Sequence, residues 1–75
     1  MKKYERLDTP PETGKTYPNA GSDYRITSPI ENGCATVVRV KDGWTCTAHN
    51  MALYRINGDA IELQWDYSTG GHFAD

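Results

Sequence analysis

Asn57-Gly58 constrains this chain more than any other dipeptide in it. Asn-Gly between two apolar runs is the strongest short-range hairpin signal, because both residues accept the positive φ of a type I′ turn. The runs are Met51 to Ile56 and Ala60 to Tyr67. A two-residue loop pairs Tyr54 with Ile61 and Ala52 with Leu63. Ile61, Leu63, Trp65 and Tyr67 then share one face, and Glu62, Gln64, Asp66 and Ser68 share the other. That alternation belongs to a strand buried on one side, with Trp65 as its core anchor.

The remaining elements follow by the same reading. Asp23 to Ser28 alternates Tyr24 and Ile26 with polar residues, and Pro29 stops it. Cys34 to Val40 and Trp44 to Ala48 are two further strands. In residues 1–22, Thr9-Pro10-Pro11-Glu12-Thr13-Gly14 is incompatible with a helix, since consecutive prolines remove donors and fix an extended backbone. Thr16-Tyr17-Pro18 reads as a short edge strand, with Tyr17 over one end of the core. Thr, Val, Ile, Tyr and Trp are plentiful, and seven glycines and four prolines punctuate the chain. The fold class is all-β: one domain over residues 1–75, a five- to six-stranded antiparallel meander curled into a small, partly open SH3-like barrel.

Register between the second and third strands turns on Lys41-Asp42-Gly43. A two-residue Asp-Gly loop would put Val38 and Val40 opposite in facing to Trp44 and Cys46. A three-residue loop pairs Val40 with Trp44, Val38 with Cys46 and Thr36 with Ala48, which collects the apolar residues on one face. The expected register is therefore the second. It places Cys34 near residue 50 and Cys46 near Val38. These levels are roughly 13 Å apart along the strands, beyond the ~7 Å that disulfide Cα atoms allow. Both cysteines are expected as reduced core thiols.

A formal net charge of −2 lacks the basic surplus of a typical nucleic-acid binder. Met1-Lys2-Lys3 leads into Tyr4-Glu5-Arg6-Leu7-Asp8 and not into an apolar run, so no signal peptide is expected. The expected location is the cytoplasm.

Cys46 and His49, three apart on a strand, point to opposite faces and make a poor metal pair. Ser68, His72 and Asp66 or Asp75 lack the strained elbow that a hydrolytic triad needs. No metal, cofactor or catalytic residue is expected. Trp65-Asp66-Tyr67-Ser68-Thr69-Gly70-Gly71-His72-Phe73 carries the binding signal: four aromatic or imidazole rings, two hydroxyls and two glycines in nine residues. Read as a turn, Ser68 to Gly71 can form a backbone anion nest, with rings stacking a base or a partner's side chain. The commoner use of such glycines is a turn at positive φ, which here would fold the aromatics over the barrel mouth. The candidate binding residues are Tyr67, Ser68, Thr69, Gly70, Gly71, His72 and Phe73, joined by His49 and Arg39.

Gly43-Trp44-Thr45-x-Thr47-Ala48-His49 and Trp65 to Phe73 together resemble small uncharacterised proteins of gut Firmicutes and their prophages. The similarity covers the second half of the chain and transfers no residue role. It implies a phage or mobile-element setting, where small cytosolic proteins often inhibit host machinery. The expected function is a non-catalytic binding protein that inhibits a bacterial defence component, of the anti-CRISPR or other anti-defence type. It would dock a host protein or sequester a nucleotide signal. The alternative is a small β-barrel module that binds nucleic acid. Either reading is compatible with a homo-oligomer.

Overall fold

The computed structural model describes residues 3–73. Among them are eight strands: β1 (Tyr4–Arg6), β2 (Thr16–Asn19), β3 (Ser22–Ile26), β4 (Ala35–Arg39), β5 (Trp44–His49), β6 (Ala52–Ile56), β7 (Ala60–Gln64) and β8 (Tyr67–Phe73). All pairings are antiparallel. No helix among the described residues is long and apolar enough to cross a membrane.

The strands form two sheets, ordered β1-β6-β7 and β2-β3-β4-β5-β8. The all-β, antiparallel reading of the sequence is met, with more strands than it expected and with no closed barrel. The meander runs from β2 to β5 and then breaks. Asn50 takes a positive φ of 58°, the chain turns a corner, and β6 leaves for the second sheet. Its place beside β5 goes to β8. The sheets meet where β2 lies against β7, and the Asn19 side-chain amide donates to the Leu63 carbonyl at 2.7 Å.

Between the sheets lies the core. Tyr24, Ile26, Ala35, Val37, Cys46 and Ala48 come from the larger sheet, and Met51, Leu53 and Leu63 from the smaller one and its approach. Trp65 packs on this cluster edge-on to Tyr24, with centroids 5.1 Å apart, and Tyr17 also covers it.

The β4–β5 register departs from expectation by one residue. Val37 faces Cys46, Val38 faces Thr45 and Ala35 faces Ala48. The loop runs from Val40 to Gly43, closed by the Gly43 N–H on the Arg39 carbonyl at 2.7 Å. Gly43 sits at φ +77°, as a left-handed closing residue must. The Asp42 carboxylate accepts from the Trp44 N–H at 3.1 Å and from Arg39, which steadies the longer loop. Val38 therefore faces outward and Val40 is 51% exposed, so neither joins Trp44 and Cys46 on a buried face. Ala35 and Val37 fill that face instead.

The β6–β7 hairpin slips as well. Asn57 (φ 53°) and Gly58 (φ 74°) make the expected turn, closed by the Asp59 N–H on the Ile56 carbonyl at 3.0 Å. Asp59 is then left over, and pairing resumes at Ile56 with Ala60. Leu53 lies opposite Leu63 and Tyr54 opposite Glu62, in place of Ala52 with Leu63 and Tyr54 with Ile61. The inward parity of Leu63 survives, because it depends on the strand and not on its partner.

Candidate functional site

The segment read as a C-terminal turn is a strand. β8 pairs along β5 from Tyr67 opposite His49 to Phe73 opposite Trp44. Its register shifts by one between Thr45 and Thr47, which leaves Gly70 and Gly71 opposite Cys46 alone. This is a β-bulge, and Gly70 at φ +67° takes its left-handed position. Gly71 has a different reason. A Cβ there would collide with the six-membered ring of Trp44. One glycine bends the strand and the other lets the backbone lie on an indole. Gly71 is not among the positive-φ residues, so the two glycines do not share the left-handed conformation.

Every residue of β8 is exposed. β8 has one neighbour, β5, so its other backbone edge has no strand partner among the described residues. The edge carries no proline and no Asp, Glu, Lys or Arg. The opposite edge of the same sheet, β2, contains Pro18 and lies against β7.

On the outward face, Thr36 lies opposite Thr47, and Thr47 opposite Thr69. Continuing the β4–β5 register one residue sets Cys34 opposite His49. The Cys34 Sγ lies 3.3 Å from His49 Nδ1, and His49 Nε2 lies 2.9 Å from Thr69 Oγ1. Tyr67 stacks on the His49 ring, 4.4 Å between centroids at an interplanar angle of 6°. Next to them the Asn50 amide donates to the Asp66 carboxylate at 3.0 Å, and the Asp66 N–H to the His49 carbonyl at 2.9 Å. Cys34 is thus a half-buried, outward thiol, not the core thiol expected. Cys46 is buried, and burial pushes its thiol pKa up, with Ser68 and Arg39 opposing. Both cysteines are free.

Seven of the nine candidate residues therefore lie on one strand, and His49 joins them through Tyr67 and Thr69. Arg39 does not join them on that face. Its guanidinium binds the Asp42 carboxylate through Nε and an Nη donor, at 2.9 and 2.8 Å, and lies over the Trp44 ring, 5.2 Å from its centroid. The Asp42 hydrogen bonds raise the Arg39 pKa, and the Arg39 hydrogen bonds hold the Asp42 carboxyl below the usual range. At the far end, His72 Nδ1 contacts the Gly70 carbonyl at 2.8 Å.

Three surface depressions hold about 60, 190 and 140 Å³. All are smaller than the roughly 300 Å³ at which small-molecule sites begin. The largest of the three lies on the outward face, lined by Arg25, Thr27, Val38 and Val40. No group of three or more His, Cys, Asp and Glu side chains converges as a metal site among the described residues.

The contact missed by sequence reasoning is Cys34 with His49. The expected register put Cys34 beside residue 50, one position from its real partner. Comparison with protein families, with curated proteins and with solved structures finds no match for this chain.

Proposed function

We propose that this protein is a non-catalytic binding protein whose docking element is the free edge of β8. An extended segment of a partner protein adds to that edge as a further strand. The observation that carries this reading is a seven-residue, wholly exposed edge strand without proline or formal charge. Natural sheets usually blunt such edges, because unpaired N–H and C=O groups template the next strand. Main-chain hydrogen bonds then give affinity, and alternate side chains give specificity. Here the side chains on offer are Tyr67, Thr69 and His72 on the outward face, with Phe73 on the other. The Gly70 bulge divides the edge, so the docked strand pairs most regularly along Tyr67 to Thr69.

Docking a protein fits the surface better than sequestering a nucleotide, given shallow depressions and the use of Gly71 in packing on Trp44. It fits better than nucleic-acid binding as well, since β8 carries no Lys or Arg and Arg39 is held by Asp42. The setting follows from the resemblance described above: a host protein of the bacterial cytoplasm, a defence component, inhibited by occupation. We read the contact of β2 with β7 as the seam of a partly open, SH3-like curl that holds the β8 edge clear.

A partner recovered from a bacterial lysate allows the test on the purified complex. Hydrogen exchange should slow at the β8 amides on binding. Tyr67→Ala and His72→Ala should each weaken binding by about tenfold, the scale of one lost contact residue, and shift Tm by less than about 3 °C. Protection confined to the smaller sheet, or full affinity in both variants, would overturn the assignment. Nucleotide or nucleic acid in the eluate in place of a protein would do so too.

A further inference from the structure

We propose that Cys34 is a reactive thiol, activated by His49, that captures low-molecular-weight disulfides as a mixed disulfide. The inference is independent of the β8 docking reading.

It begins with the imidazole. In the neutral ring one nitrogen donates and the other accepts. Thr69 Oγ1 at Nε2 and the Cys34 thiol at Nδ1 accommodate the tautomer the reaction needs, in which Nε2–H donates to the hydroxyl and Nδ1 accepts from Sγ–H. After proton transfer, Nδ1–H donates to the thiolate and Nε2–H still donates to Thr69. Both proton states use the same two partners. Tyr67, stacked on the ring, fixes its plane. The thiolate is the nucleophile, and an imidazole within hydrogen-bond reach can take the thiol proton as the sulfur attacks.

The backbone is held equally firmly. Glu31 and Cys34 exchange both N–H···O=C bonds at 2.9 Å across the Asn32-Gly33 turn. Gly33 packs on Asn50, where a Cβ would lie 3.4 Å from the Asn50 Cα, and its carbonyl accepts from the Met51 N–H at 3.0 Å. The turn that carries Cys34 is thus seated on the turn that follows His49. The thiol has one competing acceptor, the Asn32 carbonyl at 3.6 Å. That contact is longer than the one to His49.

The step balances without a further reagent. His49 Nδ1 takes the Sγ proton, and the Cys34 thiolate attacks one sulfur of RS–SR. A Cys34–SR bond forms as the RS–SR bond breaks, and the electron pair leaves on RS⁻, which takes the proton from His49. Cys34 is oxidised, and one RS group is reduced to RSH. Cys46 cannot resolve the adduct, because it points inward opposite Val37 while Cys34 points outward. The mixed disulfide therefore persists until an external thiol removes it.

The test uses the whole protein and oxidised glutathione at neutral pH, followed by intact mass and peptide mapping. We expect one adduct per chain, at Cys34, forming at least about tenfold faster folded than in urea, in line with thiols activated by an imidazole. His49→Gln should slow it about tenfold, and Thr69→Val, which removes the Nε2 partner, by a smaller factor. Cys46→Ser should leave the rate unchanged, and Cys34→Ser should abolish the adduct. Equal rates folded and unfolded, or a folded His49→Gln variant that reacts like the parent, would overturn the proposal. Should His49→Gln fail to fold, the folded-versus-urea ratio and Thr69→Val decide it: an unchanged rate in Thr69→Val refutes the relay.

Discussion

The β4–β5 and β6–β7 hairpins look alike in sequence and err alike when read from it. Each has an Asp or Asn followed by Gly at its tip, and each loop is one residue longer than its turn chemistry suggests. The extra residue enters from opposite sides. In β4–β5 it is Val40, taken from the strand before the turn. In β6–β7 it is Asp59, added after the turn is already closed. The consequences differ accordingly. Asp59 changes which residue faces Leu63 but leaves Leu63 in the core. Val40 exchanges Val38 and itself for Ala35 and Val37 on the buried face, and moves Cys34 from beside residue 50 to beside His49. A turn motif therefore fixes local φ values without fixing how many residues precede the first ladder bond.

The largest test of this contrast lies in β6–β7. Leu63 is fully buried opposite Leu53, whereas Ile61, on the same face, is 40% exposed near the hairpin end. Leu63→Ala should destabilise the protein by about 3 kcal/mol, within the range for buried leucines, and Leu53→Ala by a similar amount. Ile61→Ala should cost less than about 1 kcal/mol. Urea melts of the three variants decide this. Similar losses for Leu63 and Ile61 would mean that the hairpin end is covered.

The β4–β5 register has a narrower test. Val37→Ala removes two buried methyl groups and should cost about 2 kcal/mol, while Val40→Ala in the loop should stay within about 0.5 kcal/mol. The three-residue loop expected from the sequence reverses that order. One pair of melts separates the registers.

The smallest effect belongs to the Arg39–Asp42 pair that steadies the longer loop. The folded-state pKa of Asp42 lies below its ordinary 3.8, chiefly through the Arg39 hydrogen bonds. Its contribution is present above that unfolded value and is lost as pH falls through the folded one. Asp42→Asn should therefore flatten the acid limb of stability against pH, and leave the slope between pH 6 and 8 unchanged. The pair is solvent-accessible, so the effect is modest and fades with salt. An unchanged acid limb would detach the pair from loop stability.

Strand existence was legible wherever alternation was strict. Tyr24 and Ile26 in β3 and Leu63 in β7 face the core as their parity requires, and Trp65 just beyond β7 packs on it. The expected single strand from Ala60 to Tyr67 nevertheless ends at Gln64, and Tyr67 opens β8 on the outward face. β1 was not legible. Tyr4, Glu5 and Arg6 are all exposed, so nothing in the pattern distinguishes this segment from a tail until β6 offers an edge. β8 was misread for another reason. Adjacent glycines and hydroxyls signal a turn, but here a bulge absorbs one glycine and Trp44 demands the other. The residues of the candidate site were legible as a cluster because seven are consecutive. Their geometry was not, since a strand edge and a turn expose different backbone groups. The Cys34–His49 contact was beyond reach, because it depends on a register that the loop lengths did not determine.

The two indoles of this chain are placed as separate optical reporters. Trp65 rests edge-on against Tyr24 at the margin of the core, so its emission follows the cooperative melt. Trp44 lies beneath the Gly71 backbone and beside the Arg39 cation, so lifting β8 alone rehydrates it. An exposed edge strand with a single neighbour opens at lower free energy than the core. Emission from a Trp65→Phe protein therefore registers the opening of β8 before the core melts.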